Sequence, residues 1–261
     1  MKVYVITHKK FKMPDKIDNT IYQPLLVGSS IGNKGLPTYL KDNIGDTISY
    51  KNKSYCELTG IYWIWKNSKE DIVGIDHYRR FFVDEHKSIL SKSQISADLK
   101  KYDIILPDKD PYAFNGKSAG QFFCYNHDPL VWAKTRDIIN EKYPTYVKDF
   151  DWYSNQYEGY SYNMFISSKK MIDEYNEWLF NILFELEKSV DLSQYTSYNK
   201  RMFGFVSERL LNVWVHHNNL NVKTYPVQKT EKDKFVTKIK NQIFLAIVKH
   251  HVKKRENKNL L

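Results

Sequence analysis

Five adjacent residues with chemically useful side chains follow a short apolar run in the segment DIVGIDHYRRFF. They are a carboxylate, an imidazole, a phenol and two guanidinium groups: Asp76, His77, Tyr78, Arg79 and Arg80. Carboxylate oxygens are ligands that Mg²⁺ and Mn²⁺ prefer, and arginine can bind phosphate oxygens through two parallel hydrogen bonds. The segment therefore suits a diphosphate, with Asp76 holding a divalent cation and Arg79 or Arg80 contacting the phosphates.

The same residue types also have an ordinary structural explanation. The two arginines can pair with nearby acids such as Asp84 or Glu85, and Tyr78 and Phe81 can belong to the core. The spacing is compatible with both interpretations, so the diphosphate site is a hypothesis at this point.

A second candidate follows the apolar stretch QFFCYN, where His127 and Asp128 are adjacent. An aspartate beside a histidine can act as a general base toward an acceptor hydroxyl. Asp128 also precedes Pro129, and this pair is typical of a helix N-cap followed by its first helical residue. Asp128 is therefore either a base or a cap.

A third group lies in a predicted helix near the end of the main body. Arg201, Glu208 and Arg209 stand beside apolar neighbours, where a charge is costly unless it is paired or functional. An internal ion pair is the alternative to a role in binding. His216 and His217 lack a second pair of ligands at metal-binding spacing, so we expect them at the surface.

Several other kinds of site have no matching motif in this sequence. There is no serine-hydrolase signature, P-loop or zinc motif. Gly28, Gly32 and Gly35 do not have the GxGxxG spacing of a dinucleotide-binding turn. Catalysis by an activated serine is therefore not expected.

The apolar patterning around these groups predicts alternating strands and helices. β-Branched and aromatic runs predict short strands over residues 3–6, 71–75, 102–106 and 162–167. Helical spacing predicts helices over residues 55–67, 129–140, 169–186 and 201–217. Residues 148–162, rich in Tyr, Asp, Asn and Gly, are expected to form a surface loop. This order is typical of an open α/β sheet, in which ligands bind beyond the carboxyl ends of the strands.

Composition limits the class of protein. With 261 residues, 42% of them hydrophobic, the chain is long enough for one sizeable core and is not a disordered or coiled-coil protein. Its two cysteines are too few for a disulfide framework, which fits a reducing cytoplasm. It has no apolar run of about 18 residues that could span a membrane, and its first residues, MKVYVITHKKF, lack the apolar core of a signal peptide. A cytoplasmic location is expected.

The net charge of +10 is concentrated at the end of the chain. Residues 229–261 carry ten Lys/Arg and three Asp/Glu, a net charge of +7, which leaves +3 on residues 1–228. Such asymmetry argues against a nucleic-acid-binding body. Phe235, Ile239, Ile243 and Ile247 recur every four residues among the lysines, which predicts a basic amphipathic helix that binds an anionic membrane surface. The alternative is a terminal helix packed on the body with a solvated lysine face.

Several segments together resemble a known family. They are VYVITHKKF, YQPLLVGSS, DNIGDTISYKNKSYCELTGIYWIWKN, GIDHYRRFF, NMFISSKKMIDEYNEWLF and RMFGFVSERLLNVWV, which span about residues 2–220. The sequence resembles bacterial capsular and exopolysaccharide biosynthesis proteins, a family long catalogued as a domain of unknown function and regarded as GT-A-like glycosyltransferases. This resemblance implies an α/β fold: a single GT-A-like domain over residues 1–228 with an open twisted sheet flanked by helices, followed by the basic amphipathic C-terminal helix in residues 229–261.

The resemblance also implies an activity. It is the transfer of a hexose, with galactose in its pyranose or furanose form favoured, from a UDP-sugar to a lipid-linked oligosaccharide in capsule, exopolysaccharide or O-antigen biosynthesis. The enzyme would lie peripherally on the inner face of the cell membrane and would bind no nucleic acid. The first alternative function is a non-catalytic nucleotide- or carbohydrate-binding module, and the second is an RNA- or DNA-associated protein whose basic tail is the contact.

Individual residues acquire expected roles from the resemblance. Thr7 and His8 would flank the nucleotide, and Asp76 would take the place of the first acid in the Asp-x-Asp metal motif. The third position of that motif is Tyr78, so the usual second carboxylate is absent. Mn²⁺ or Mg²⁺ is a possible cofactor, and Arg79 and Arg80 could instead neutralise the diphosphate without a metal.

Inverting transfer would also need a carboxylate base, for which the candidates are Asp128, Asp151, Glu158 and Glu208. The candidate catalytic residues are Asp128, Glu208 and Asp76. The further candidate substrate contacts are His77, Tyr78, His127, Asn163 and Arg209.

Overall fold

A computed structural model describes residues 1–110 and 114–230 of the chain. The strands of the described part are β1 (Lys2–Thr7), β2 (Tyr22–Leu26), β3 (Leu40–Lys41), β4 (Ile72–His77), β5 (Arg80–Phe82), β6 (Ile104–Pro107), β7 (Phe165–Ser168), β8 (Val222–Tyr225) and β9 (Val227–Lys229). The α-helices are α1 (Asn52–Tyr55), α2 (Leu58–Asn67), α3 (Lys92–Asp98), α4 (Ala119–Asn126), α5 (Pro129–Lys142), α6 (Val147–Ser154), α7 (Lys169–Ser189) and α8 (Met202–His217). The predicted amphipathic tail helix lies almost entirely outside the described residues.

The strands form one mixed sheet in the order β3-β2-β1-β4-β7-β6-β8, and β5 pairs with both β4 and β9. Strand β1 runs parallel to β2 and β4, whereas β7 is antiparallel to β4 and β6. The carboxyl ends of β1, β4 and β6 therefore meet the amino end of β7 at one edge of the sheet. This is the α/β class expected from the sequence.

Apolar side chains cover both faces of the sheet, so the central strands are buried on both sides. Tyr4, Ile6, Val73 and Ile75 belong to the larger cluster, to which α2, α7 and α8 also contribute. The smaller cluster, on the opposite face, includes Val3 and Val5 of β1 together with residues of β5. Alternate residues of β1 and β4 thus serve different layers, as the two-residue period of a strand requires.

Two predicted helices begin at the expected residues, and each has a side-chain cap at its start. Asp128 caps α5 by accepting a hydrogen bond from the Leu130 N–H, and Pro129 occupies the first turn. Ser168 caps α7 by accepting from the Met171 N–H, and the inner face of α7 is buried against the core. These caps satisfy N–H groups that a helix leaves without partners at its start.

One sequence prediction was wrong, and one helix is shorter than predicted. Part of the predicted loop at residues 148–162 is helix α6, whose Phe150 and Tyr153 are buried in the core. The predicted helix at residues 55–67 is present as α2 but begins at Leu58, because Cys56, with a left-handed φ of 51°, separates it from α1. Within residues 1–110 and 114–230, no helix is both long enough and apolar enough to cross a bilayer.

Candidate active site

A cavity of about 700 Å³ lies at the edge where the strands β1 and β4 end. One side is formed by residues at or just after those strand ends: Thr7, His8, His77, Tyr78, Arg79 and Arg80. The other side is formed by α8 and the turn before it: Tyr198, Arg201, Phe205, Glu208 and Arg209. Most of the binding residues expected from the sequence therefore line one cavity.

Parallel pairing of β1 with β4 brings the first of these groups together. Ile6 lies opposite His77 in the register, so the residues that follow each strand emerge side by side. The Thr7 hydroxyl donates to the Lys9 carbonyl oxygen at 2.6 Å, which turns the chain immediately after β1. The His8 ring then meets the Tyr78 ring edge to face, with centroids 5.4 Å apart.

His77 is held as a neutral imidazole. Its Nε2 lies 2.6 Å from the Tyr162 carbonyl oxygen, and a carbonyl can only accept, so Nε2 carries the proton. Burial, aided by Arg80 and Arg79, lowers the pKa of His77 to about 4. His77 therefore adds no positive charge to the cavity near neutral pH.

The loop that receives the His77 hydrogen bond has an unusual backbone. Tyr162 and Asn163 both have positive φ, at 78° and 49°, a region that costs non-glycine residues conformational energy. Asn163 is buried, and its amide donates to Glu57 at 2.8 Å while its oxygen accepts from the Ser207 hydroxyl at 2.9 Å. Asn163 thus does not line the cavity; it holds the loop to α8 and to Glu57.

The cavity lining is rich in guanidinium groups. Arg80 lies over the Tyr162 ring at 4.4 Å and Arg79 is 5.1 Å from the centre of the Tyr78 ring. Arg201 donates from Nε to the Cys56 sulfur at 3.1 Å. Counting Arg209 as well, four arginines face two carboxylates, Glu57 and Glu208, among the described lining residues. Such a lining attracts anions.

Helix α8 presents charged and aromatic groups to the cavity at one-turn spacing. Phe205 and Glu208, three residues apart, lie on one face of the helix, and Arg201 lies in the turn that precedes it. Glu208 accepts from Arg209 Nη1 at 2.8 Å, so the ion pair expected from the sequence is present. Burial raises the pKa of Glu208 above its ordinary value, and Arg209 partly opposes this effect. A carboxylate with a raised pKa has the property required of a general base.

Glu57 is a cavity residue that the sequence reasoning did not select. It lies between α1 and α2, directly after Cys56 with its left-handed backbone. The residue stands in the segment ELTG, but its position inside a continuous predicted helix gave no sign that it faces a site.

The structure does not bring Asp76 to the cavity. In β4 the residues Val73 and Ile75 face the larger cluster, so Asp76 has the opposite orientation and is fully buried. Burial raises the pKa of Asp76 well above its ordinary value, and the Phe82 backbone N–H opposes this only in part. The Asp76 side chain is therefore buried on the face of the sheet opposite the larger cluster, and it is not the cavity ligand expected from the sequence.

The remaining candidate bases also lie outside the lining of the cavity. Asp128 caps α5 and accepts from the Tyr195 hydroxyl at 2.6 Å, while Asp151 forms a two-point ion pair with Arg136. Glu158 is 3.7 Å from the Lys109 amine. His127, likewise outside the lining, packs behind Phe205 with ring centroids 4.2 Å apart. His216 is exposed, as expected, and His217 is half-buried; each lies within hydrogen-bond distance of Asp149.

The described lining residues do not fit a protein-held divalent cation. Of its two carboxylates, Glu208 is paired with Arg209 and Glu57 accepts from Asn163. Within residues 1–110 and 114–230 there is no group of three His, Cys, Asp or Glu side chains arranged to hold a metal ion. The donor set is that of an anion site, in which arginines supply the positive charge.

This fold is that of a glycosyltransferase-type α/β protein. The chain is similar to the solved apo structure of WbbM, a bifunctional glycosyltransferase, with a TM-score of 0.79 and 28% sequence identity. The match covers 90% of this chain and 46% of the WbbM chain, so the protein spans about half the length of that relative.

The family is shown by a match over residues 2–219 to the family described as a domain of unknown function, DUF4422. The chain belongs to this family. No curated protein matches the sequence.

Proposed function

We propose that the protein is a glycosyltransferase that uses a nucleoside-diphosphate sugar. The observation that carries the proposal is the convergence of four arginines and one carboxylate of raised pKa on a cavity at the strand ends. The 28% identity to a bifunctional glycosyltransferase over most of this chain supports it.

The chemistry divides between the two sides of the cavity. Arg79 and Arg80, at the strand ends, bind the diphosphate and stabilise the negative charge that develops on it as the sugar leaves. Glu208, on α8, accepts the proton of the acceptor hydroxyl, whose oxygen attacks the anomeric carbon of the donor. Thr7 and His8 lie at the end of β1 beside Tyr78, where they can contact the nucleoside.

The finer assignments rest on the sequence. We propose a UDP-hexose as donor, with galactose favoured, and a lipid-linked oligosaccharide as acceptor in the biosynthesis of a surface polysaccharide. The basic residues in 229–261 would bind an anionic membrane surface and bring the enzyme to that lipid. Flotation with anionic and neutral vesicles tests membrane binding by comparing the wild type with the variant Lys238→Gln, Lys240→Gln, Lys253→Gln, Lys254→Gln. The variant should be recovered less with anionic vesicles. Equal recovery of the two chains would contradict membrane binding by these residues.

Isothermal titration with UDP and with uridine tests the anion site directly. The wild-type chain should bind UDP more tightly than uridine, and Arg80→Gln should weaken UDP binding about tenfold or more while affecting uridine little, because a charge-assisted contact contributes about 1.5–3 kcal/mol. Arg136→Gln is the matched control, since Arg136 pairs with Asp151 outside the cavity lining.

The outcomes separate the proposal from its alternative. Turnover of a UDP-sugar in the presence of a lipid-linked acceptor supports the transferase, whereas UDP binding without turnover favours a non-catalytic binding module. Failure to bind UDP or any other nucleoside diphosphate would overturn the transferase and the nucleotide-binding module, and would leave only a carbohydrate-binding module.

A further inference from the structure

One part of the cavity lining is aromatic rather than charged. Phe205 on α8 and Tyr198 in the turn before it line the cavity, with ring centroids 5.2 Å apart and planes tilted by 40°. We call these two residues the aromatic wall. Tyr198 is 55% exposed, so a large part of its ring is open to a ligand.

The aromatic wall is supported from behind. The His127 ring stacks on Phe205 at 4.2 Å and lies nearly parallel to Tyr198 at 5.9 Å, yet it does not line the cavity. Its Nδ1 is 3.2 Å from the Asn199 side-chain oxygen, and burial lowers the pKa of His127. A third ring that lies outside the lining is thus stacked on the aromatic wall.

Hydrogen-bonding groups flank the aromatic wall. Glu208 follows Phe205 by three residues, a spacing that separates Cβ atoms by about 5–6 Å. The Arg201 guanidinium lies 5.6 Å from the centre of the Phe205 ring. An aromatic face beside one acceptor and one donor matches a sugar ring, which has an apolar C–H face and hydroxyl groups at its rim.

We infer that the aromatic wall binds a pyranose ring of the acceptor saccharide and directs one of its hydroxyls at Glu208. The inference rests on the proposed function, in which Arg79 and Arg80 bind the donor diphosphate. The acceptor oxygen forms a bond to the anomeric carbon and its proton passes to Glu208. The bond from that carbon to the phosphate oxygen breaks, and the nucleoside diphosphate leaves with the electron pair.

Saturation-transfer NMR with the methyl pyranosides of galactose, glucose and mannose, in the presence of saturating UDP, tests the assignment. Tyr198→Ser and Phe205→Leu should each bind at least one of these probes about tenfold more weakly than the wild type, the effect of losing one aromatic contact. Tyr50→Ser is the matched control, because Tyr50 is an exposed tyrosine outside the lining. UDP affinity, measured by titration, should stay unchanged in all three variants.

Each outcome decides the inference. Equal probe affinity in the wild type and in both wall variants overturns it, and so does the absence of saturation transfer with all three methyl pyranosides. Tyr198 is exposed, so the Tyr198→Ser chain provides the answer even if Phe205→Leu impairs folding. A further outcome is that the wild type binds the probes but no nucleoside diphosphate, while the wall variants lose probe binding. This result would retain the saccharide site and contradict the transferase, so failure of the inference and failure of the proposed function are distinguishable.

Discussion

The neutral state of His77 makes the stability of the fold depend on pH in a predictable way. The pKa of this histidine falls from an ordinary 6.5 to about 4 in the folded chain. A depressed folded-state pKa favours the folded state above the unfolded pKa, and that stability is lost as the pH falls toward the folded pKa. Linkage between these two values gives a loss of at most about 2 kcal/mol on going from pH 7.5 to pH 5.

The perturbation that isolates this effect is His77→Gln. Glutamine does not titrate, and its amide can still donate to the Tyr162 carbonyl oxygen that now accepts from His77 Nε2. Urea unfolding of both chains at several pH values between 5 and 7.5 gives the difference in unfolding free energy. Other acid-sensitive groups are shared by the two chains, so their contributions largely cancel in this difference.

We expect the wild type to lose up to about 2 kcal/mol relative to His77→Gln as the pH falls to 5. His86→Gln provides the control, because the His86 side chain is 79% exposed, and this variant should follow the wild type across the range. A constant free-energy difference between wild type and His77→Gln from pH 7.5 to pH 5 would refute the argument.

Substitutions at three other positions test the roles of Glu208 and Asp128 and the stabilising effect of one buried carboxylate, Asp42. Glu208→Gln should lower transfer about 10²–10³-fold in kcat and leave UDP affinity near the wild-type value, as titration would reveal; undiminished transfer would remove Glu208 as the base. Asp128→Ala should cost about 1 kcal/mol in unfolding free energy by removing a helix cap, with Asp128→Ser restoring most of it and UDP affinity unchanged in both; weaker UDP binding would return Asp128 to the site. Asp42→Ala should lower the unfolding free energy measured in urea by ~3 kcal/mol. The buried Asp42 carboxylate accepts hydrogen bonds from the backbone N–H groups of Gly28 and Ser29 and from the hydroxyls of Ser49 and Thr59. A smaller loss than that of Asp128→Ala would contradict this prediction.

The sequence could predict the class of fold and the cationic cluster, because both follow from local patterns. Short β-branched runs indicated β1, β4 and β6, and polar residues directly after β1 and β4 indicated the edge where ligands bind. Parallel pairing of β1 with β4 then brings those polar residues together. Four adjacent residues from His77 to Arg80 reach the cavity for this reason.

The failures have equally local causes that only tertiary structure reveals. The strand β4 continues to His77, two residues beyond its predicted end, so strand alternation turns Asp76 away from the cavity and His77 toward it. Because adjacent strand residues point to opposite faces, His77 reaches the cavity and its neighbour Asp76 does not. Glu57 was missed because the left-handed backbone at Cys56 interrupts the helix, and a non-glycine residue with positive φ is rarely evident from its type.

The absence of Asp76 from the cavity changes the electrostatic problem that the site solves. A carboxylate there would need a cation of its own before an anionic donor could approach, whereas the described lining already has more guanidinium groups than carboxylates. Keeping His77 neutral avoids a fifth positive charge, which Arg79 and Arg80 would each repel. Burial lowers the pKa of His77 and raises the pKa of Glu208. Both shifts suit the proposed function, in which Arg79 and Arg80 at the strand ends would bind a diphosphate and Glu208 on α8 would accept a proton.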